Sequence, residues 1–323
     1  MPLDPDRYRL DEAAYRNADH PWLTELAVVV GAVGPPFHRM GTRAIGEADW
    51  LLSDAHRDCE LALRRQFVAD GLDEVFASTA DAYDAGEEAA SVVIEWLARH
   101  RPVADLPDAP DDGAGEDRAD EDGAVADHPL VRAGLQVQED LCLMPRDETS
   151  WRLTARLVCF PTYWRLGEKM GRSQGTIRGP VPHYADELSD RVGLFFDRLA
   201  PDRIVARRNR GFSPPPNPLL FVPHPIPNGV ELSYAPERLW LRSERQTLRR
   251  LPRSGAVLFT IKVQLAPVTE LTERPELTER LLAMMESRSP ELVRSRGGRH
   301  GCFAEVTGSM RSIGTDLHAD PRA

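Results

Sequence analysis

The sequence predicts an α+β chain, with a helical first third, an acidic interruption, and a second half in which strand alternation and helical spacing take turns. Three observations carry this. Ala85 to His100 sets Val92, Val93, Trp96 and Leu97 on one helical stripe. Leu188, Val192, Phe195, Phe196 and Leu199 fall at i, i+4, i+7, i+8 and i+11, the spacing of one helix face. Leu239 to Leu248 and Val257 to Leu265 read as strands, and the Leu251-Pro252-Arg253-Ser254-Gly255 turn between them predicts antiparallel pairing.

Taken in order, the apolar stretch Leu23 to Gly34 reaches about half of the roughly 20 residues that a bilayer crossing needs, and acidic rather than basic residues precede it. A soluble, cytoplasmic chain without a signal peptide or membrane contact is expected. Asp49 can cap a helix carrying Trp50, Leu51, Leu61, Leu63, Phe67 and Val68. With 85–100, this makes 1–103 a mainly helical region packing on the core. Residues 104–127 hold ten acids against one arginine, with Pro and Gly but almost no large apolar side chain, and predict a solvated flexible loop. Beyond it, 128–290 should form the folded core. Trp151 to Leu157 alternates as a half-buried strand, Ala185 to Leu199 is a helix, Arg203 to Arg208 a strand, and Leu277 to Glu286 a closing helix. The Gly- and Arg-rich 291–323 is expected to fray.

The net charge is −11, of which the acidic loop accounts for −9. The remainder is almost neutral, so no broad basic surface is available to neutralise phosphates, which argues against nucleic acid as a partner. The four cysteines, Cys59, Cys142, Cys159 and Cys302, form no CxxC pair and no zinc-spaced cluster.

Three stretches carry a family resemblance. The first is Gln138-Glu139-Asp140-Leu141-Cys142-Leu143, with Trp151-Arg152-Leu153, Val158-Cys159-Phe160-Pro161-Thr162-Tyr163-Trp164 and Glu168-Lys169-Met170-Gly171 after it. The second is Ile177-Arg178-Gly179-Pro180-Val181-Pro182, leading to Phe195-Phe196-Asp197-Arg198-Leu199. The third runs from Leu241-Arg242-Ser243-Glu244-Arg245-Gln246-Thr247-Leu248 to Ala256-Val257-Leu258-Phe259-Thr260-Ile261. Together they resemble the heme-dependent oxidative N-demethylase family over roughly Gln138 to Pro267, with a weaker match around Pro35 to Trp50. The resemblance implies a PAS-like antiparallel β-sheet with flanking helices, a bound heme b, and oxidative removal of a methyl group from a small amine with O2 or peroxide as oxidant. It also implies electrons from a separate reductase chain, since this chain has neither a GxGxxG element nor an iron–sulfur cysteine pattern. Two positions depart from the family: its Ile-His before Pro-Val-Pro is Ile177-Arg178 here, and its Asn-Trp is Asn209-Arg210.

A heme needs an apolar slot, an axial ligand and cations for its propionates. Arginine offers iron no lone pair, so with Arg178 in the family's histidine position, His183, after Pro182, is the first candidate ligand of the iron. His224, between Pro223 and Pro225, is the second. Either could equally be a solvent-facing loop histidine, and Cys142 and Cys159 read more readily as inert core residues than as thiolate ligands. Among Arg242, Arg245, Arg249, Arg250 and Arg253, strand alternation turns some inward, where each needs an anionic partner. Arg245 and Arg249, with Lys169, are candidates for the propionates; the alternative is internal ion pairing with Glu139, Asp140 or Glu168. Tyr163, Trp164, Glu139 and Asp140 could face an amine substrate. Arg178 and Arg210 would instead attract a carboxylate-bearing, amino-acid-like nitrogen compound. The catalytic candidates are therefore Tyr163, Arg178 and Glu139. Two other function classes stay open, a non-catalytic heme- or metabolite-binding sensor and a structural subunit without cofactor.

Overall fold

Alternation along Trp240–Arg250 and Val257–Pro267 is interrupted only by the turn that ends at Gly255, whose φ of +68° favours glycine. The result is the long hairpin at the centre of the structure. The computed structural model describes residues 11–31, 41–101, 127–148, 150–161, 170–171, 192–213, 233–286 and 303–316. The predicted acidic loop therefore lies, apart from Asp127, outside the described residues.

The hairpin strands β6 (Trp240–Arg250) and β7 (Val257–Pro267) sit in the middle of a seven-stranded sheet of order β1-β5-β6-β7-β3-β4-β2. The other strands are β1 (Arg43–Ile45), β2 (Phe76–Ser78), β3 (Asp140–Met144), β4 (Ala155–Leu157) and β5 (Ile204–Ser213), and every neighbouring pair is antiparallel. The α+β class and the antiparallel hairpin are as expected. Within 1–103, expected to be mainly helical and to pack on the core, the chain also supplies both edge strands, β1 and β2.

The helices are α1 (Glu12–Arg16), α2 (Trp22–Gly31), α3 (Arg57–Val75), α4 (Tyr83–His100), α5 (Pro129–Gly134), α6 (Pro275–Glu286) and α7 (Phe303–Asp316), and 192–197 is also helical. Helix α4 buries Ala85, Ala89, Val93, Trp96 and Leu97, the predicted stripe and its continuation. Helix α3 starts later than Asp49 would place it. Asp49 ends a short 3-10 turn, and the following backbone is captured by side chains: Leu52 N–H donates to Glu139 at 2.7 Å and Asp54 N–H to Gln138 at 3.0 Å. Only Ala155–Leu157 of the expected Trp151–Leu157 strand enters the sheet, with Trp151 forming an isolated bridge to Arg146. The tail also differs from expectation. Val306, Met310 and Ile313 recur at helical spacing and are buried against α6 and the end of the sheet, so apolar burial holds α7 in place.

Cross-strand partners share a sheet face and successive residues alternate. On one face, Ile204, Leu258, Leu141 and Leu143 pack under Trp50, Phe67, Val93 and Trp96 at one end of the sheet. At the other end Leu241, Ala266 and Phe212 pack against α2, α6 and α7. Between these two apolar cores the register places Arg208 opposite Arg245 and Arg245 opposite Lys262, with Glu139 preceding β3 on the same side. This is a charged belt across the sheet. The opposite face is apolar where Val205, Leu248, Phe259 and Cys142 pair in one row, covered by Val192, Phe196 and Leu199.

The belt connects to a second buried pair, Arg64 and Asp140, at 2.8 Å with both side chains essentially out of water. Asp140 also accepts from the backbone N–H of Cys159 at 2.9 Å and of Phe160 at 3.2 Å, so its oxygens are well used. Removing one partner of a buried pair costs about 3–5 kcal/mol, whereas an exposed pair contributes up to about 1 kcal/mol. Asp140→Ala should therefore lower the urea unfolding free energy by several kcal/mol, and Arg311→Ala, which breaks the exposed pair with Glu286, should change it by less than about 1 kcal/mol.

Candidate functional site

Lys262 lies within the mostly apolar run Phe259 to Leu265, and its side chain is 1% exposed. A charge at that depth needs partners. It has Glu60 at 2.6 Å and Asp54 at 3.2 Å, and these acids are bridged by the Gln138 amide, which donates to each at 2.8 Å. Tyr15 closes the cluster, its hydroxyl donating to Glu60 at 2.8 Å and its ring stacked on His56 at 3.7 Å. Burial disfavours the charged ammonium, yet Glu60 and Asp54 outweigh it and hold the Lys262 pKa above its ordinary value. Burial pushes the Tyr15 phenol upward, and Glu60 adds to the shift.

Arg208 is anchored on the same belt. It donates to Glu25 of α2 through Nε at 2.9 Å, to Gln264 at 2.8 Å and to Ser243 at 3.2 Å. Arg245 donates to the backbone carbonyls of Trp50, at 2.9 Å, and Asp49. Arg249 sits 4.7 Å over the Trp50 ring and 3.6 Å from Glu47, an ion pair without a formed hydrogen bond. Both arginines expected to hold propionates point at residues 47–50, and their closest partners there are none of Glu139, Asp140 or Glu168. Arg210 lies on the belt face too, with its guanidinium against the Met284 sulfur of α6.

Glu139 is the exception within the belt. One carboxylate oxygen accepts from Leu52 N–H, while the other is buried with no hydrogen-bond partner among the described residues. Burial raises its pKa, opposed by the Leu52 hydrogen bond and by the Lys262 and Arg245 charges. Tyr163, Lys169, Arg178, His183 and His224 lie outside the described residues.

On the opposite face, near the sheet edge, the row Val205–Ala44 continues into a half-open depression of about 310 Å³. Its walls come from Phe195 and Leu199, and Arg198, Arg203 and Thr42 complete it. Sequence reasoning missed these two arginines, which are scattered rather than clustered. It also missed Lys262, although a lone lysine within an apolar strand is a readable signal, and Arg156, which is buried opposite Cys142 and whose own pKa burial lowers to about 10.

The described histidines are engaged elsewhere. His20 pairs with Glu270, His56 stacks on Tyr15, His100 stacks on Trp96, and His128 caps α5 and contacts Ser78 at 3.2 Å. The Cys159 thiol is wholly buried in the core, and burial pushes its pKa up to about 12. Among the described residues there is no cluster of three or more acids, histidines or cysteines fit to hold a metal ion, and no helix is long and apolar enough to cross a membrane. A heme is thus met by described residues on two counts, an apolar surface and cations beside it, and its axial ligand would come from elsewhere in the chain.

These features define an α+β protein whose sheet carries an ionic belt on one face and, on the other, an apolar row beside polar positions such as Arg242 and Glu244, with Arg198 and Arg203 at its edge. The chain belongs to the haem-dependent oxidative N-demethylase, alpha subunit-like family, whose profile matches residues 41–301. That family is described as one subunit, which implies a partner. No curated protein matches the sequence.

The raised pKa of Glu139 fixes the sign of a pH effect. The folded state holds this proton more tightly than the unfolded chain, so its stabilising effect is full below the ordinary value of 4.5 and is lost as pH rises towards the folded value. Glu139→Gln keeps an acceptor for Leu52 and removes the titration. Its stability relative to the natural protein should rise as pH is raised from 4.5 upward, measured by urea unfolding across that range; a pH-independent difference would contradict the assignment.

Proposed function

We propose that this protein is a heme-dependent oxidase or oxygenase acting on a small nitrogen-containing substrate by oxidative N-demethylation or a related N-oxidation. The observation that carries the reading is the family match over 41–301, which spans the whole sheet. In this reading the sheet and its helices are PAS-like, the cofactor is heme b, the oxidant is O2 or peroxide, and a separate reductase chain supplies electrons in the cytoplasm.

The heme belongs on the apolar face. The belt face is filled by the chain's own pairs, with Lys262, Glu60, Arg245 and Glu139 all buried. Val205 and Leu248, packed under Val192, Phe196 and Leu199, instead border an apolar depression with arginines at its edge, and the macrocycle would be received from that open side. His183 or His224 would supply the axial ligand, Lys169 would pair with a propionate, and Tyr163 would face the substrate. Arg245 and Arg249 act at one remove, holding residues 47–50 on the sheet. Glu139 stays inside the belt and serves the reaction only through the electrostatics of the sheet. When bound, heme supplies the oxidising chemistry, and the protein orients the substrate and excludes water.

Arg178 replaces the family's histidine and would attract a carboxylate, so the substrate is an N-methylated amino-acid-like compound or another carboxylate-bearing amine. Arg210 lies on the belt face against Met284, on the opposite side of the sheet from the apolar row.

Purified protein given hemin should develop a Soret band, and with reductant and O2 it should release formaldehyde from an N-methyl amino acid. Replacing the ligating histidine, His183→Ala or His224→Ala, should abolish the ligated spectrum in one of the two variants. Arg178→Gln should weaken binding of the carboxylate substrate by roughly tenfold, the scale of one charge-assisted contact. Unchanged affinity would remove the carboxylate reading, and a folded protein that yields no Soret band would remove the heme reading.

A further inference from the structure

The apolar face does not close at its edge. Strand β1 is only three residues long, and its Ala44, opposite Val205, is exposed where the helix at 192–197 leaves the sheet uncovered. The floor there is Ala44 and Val205, the wall is Phe195 and Leu199, and the rim carries Arg198 and Arg203. Its volume of about 310 Å³ is at the lower end of small-molecule sites, which run from about 300 to 1,000 Å³. Leu199 and Val205 are continuous with the buried core beneath, so an apolar body placed here would extend an existing hydrophobic contact.

The charge is one-sided. Arg198 and Arg203 are both exposed and form no ion pair with a described residue. The acid next to Arg198 is already engaged, since Asp197 pairs with Arg146 at 2.9 Å and accepts from the Trp151 indole at 3.1 Å. Two guanidiniums of like charge open on one concavity beside an apolar floor. That combination selects an anion with a hydrophobic body, because guanidinium binds carboxylate with fixed, two-pronged geometry while the floor rewards burial of methylene groups. Thr42 adds a hydroxyl at the rim.

We infer that this edge depression is a carboxylate-binding site, in which Arg198 and Arg203 clamp the carboxylate of an amphipathic ligand and Ala44, Val205, Phe195 and Leu199 receive its apolar part. The carboxylate has two sources of the same chemistry, a heme propionate or a free amphipathic acid. With heme as the source the inference rests on the heme reading above; with a free acid it stands without it.

The test uses the full chain and two probes, hemin followed by its Soret band and hexanoate followed by saturation-transfer NMR. Two variants report on the site. Arg198→Gln/Arg203→Gln removes the charge from exposed positions, and Ala44→Phe fills the floor from an exposed one; circular dichroism checks that both remain folded. A free-acid site predicts that hexanoate affinity falls by at least roughly tenfold in the double variant, that Ala44→Phe abolishes binding, and that hemin does not compete. A propionate site predicts that hemin affinity falls in both variants and that hexanoate competes with hemin. Hemin and hexanoate behaviour identical in the natural protein and both variants would overturn the inference. Absence of a Soret band in the natural protein, with hexanoate binding still dependent on the arginines, would remove only the heme reading.

Discussion

Lys262 places an ammonium group in the middle of the sheet with almost no access to water, and much of the architecture answers that requirement. An isolated buried charge is costly, so counter-charges must come from whichever segment crosses the belt face. They come from the N-terminal half: Asp54 and Glu60 reach Lys262, Glu25 reaches Arg208, and the carbonyls of residues 49 and 50 receive Arg245. The helices before the acidic stretch are consequently part of the same unit as the sheet. Their apolar contacts, with Trp50 fully buried and edge-on to Trp96 at 6.2 Å, add the hydrophobic share of that attachment.

The belt also divides the sheet's labour. Its face is consumed by hydrogen-bonded ion pairs whose geometry leaves little freedom, with apolar cores on either side. In the proposed reading, an added cofactor or anionic ligand is received on the other face, at the apolar row of Val205, Leu248 and Phe259, where Arg198 and Arg203 form no ion pair with a described acid. Arg245 and Arg249 lie on the belt face, against residues 47–50. Alternation correctly turned them inward, but inward on this strand means towards residues 47–50.

What the sequence made legible was local. The hairpin of β6 and β7 follows from alternation and a glycine turn, and α4 and α6 follow from apolar spacing, because each of these needs only neighbours in sequence. The edge strands β1 and β2 were not legible: three residues carry no periodicity, and their pairing with β5 and β4 spans long stretches of chain. The start of α3 was hidden for the same reason, since Gln138 and Glu139 hold the backbone at Asp54 and Leu52 from more than eighty residues away. Helix α7 was obscured by its Gly- and Arg-rich approach, although Val306, Met310 and Ile313 repeat with helical spacing. For the site, the inward arginines could be read from alternation, whereas the burial of Glu139, between Gln138 and Asp140, could not. Which carbonyls and acids they meet could not, because alternation names a face and not what lies across from it.

The central claim is that the ionic belt commits one face of the sheet to structure and leaves the other for the cofactor. Anomalous diffraction at the iron edge, from crystals grown with hemin, tests this most directly by placing the iron relative to the sheet. The account predicts an iron peak on the side bearing Val205, Leu248 and Phe259. A peak on the side of Lys262 and Arg245 would contradict it.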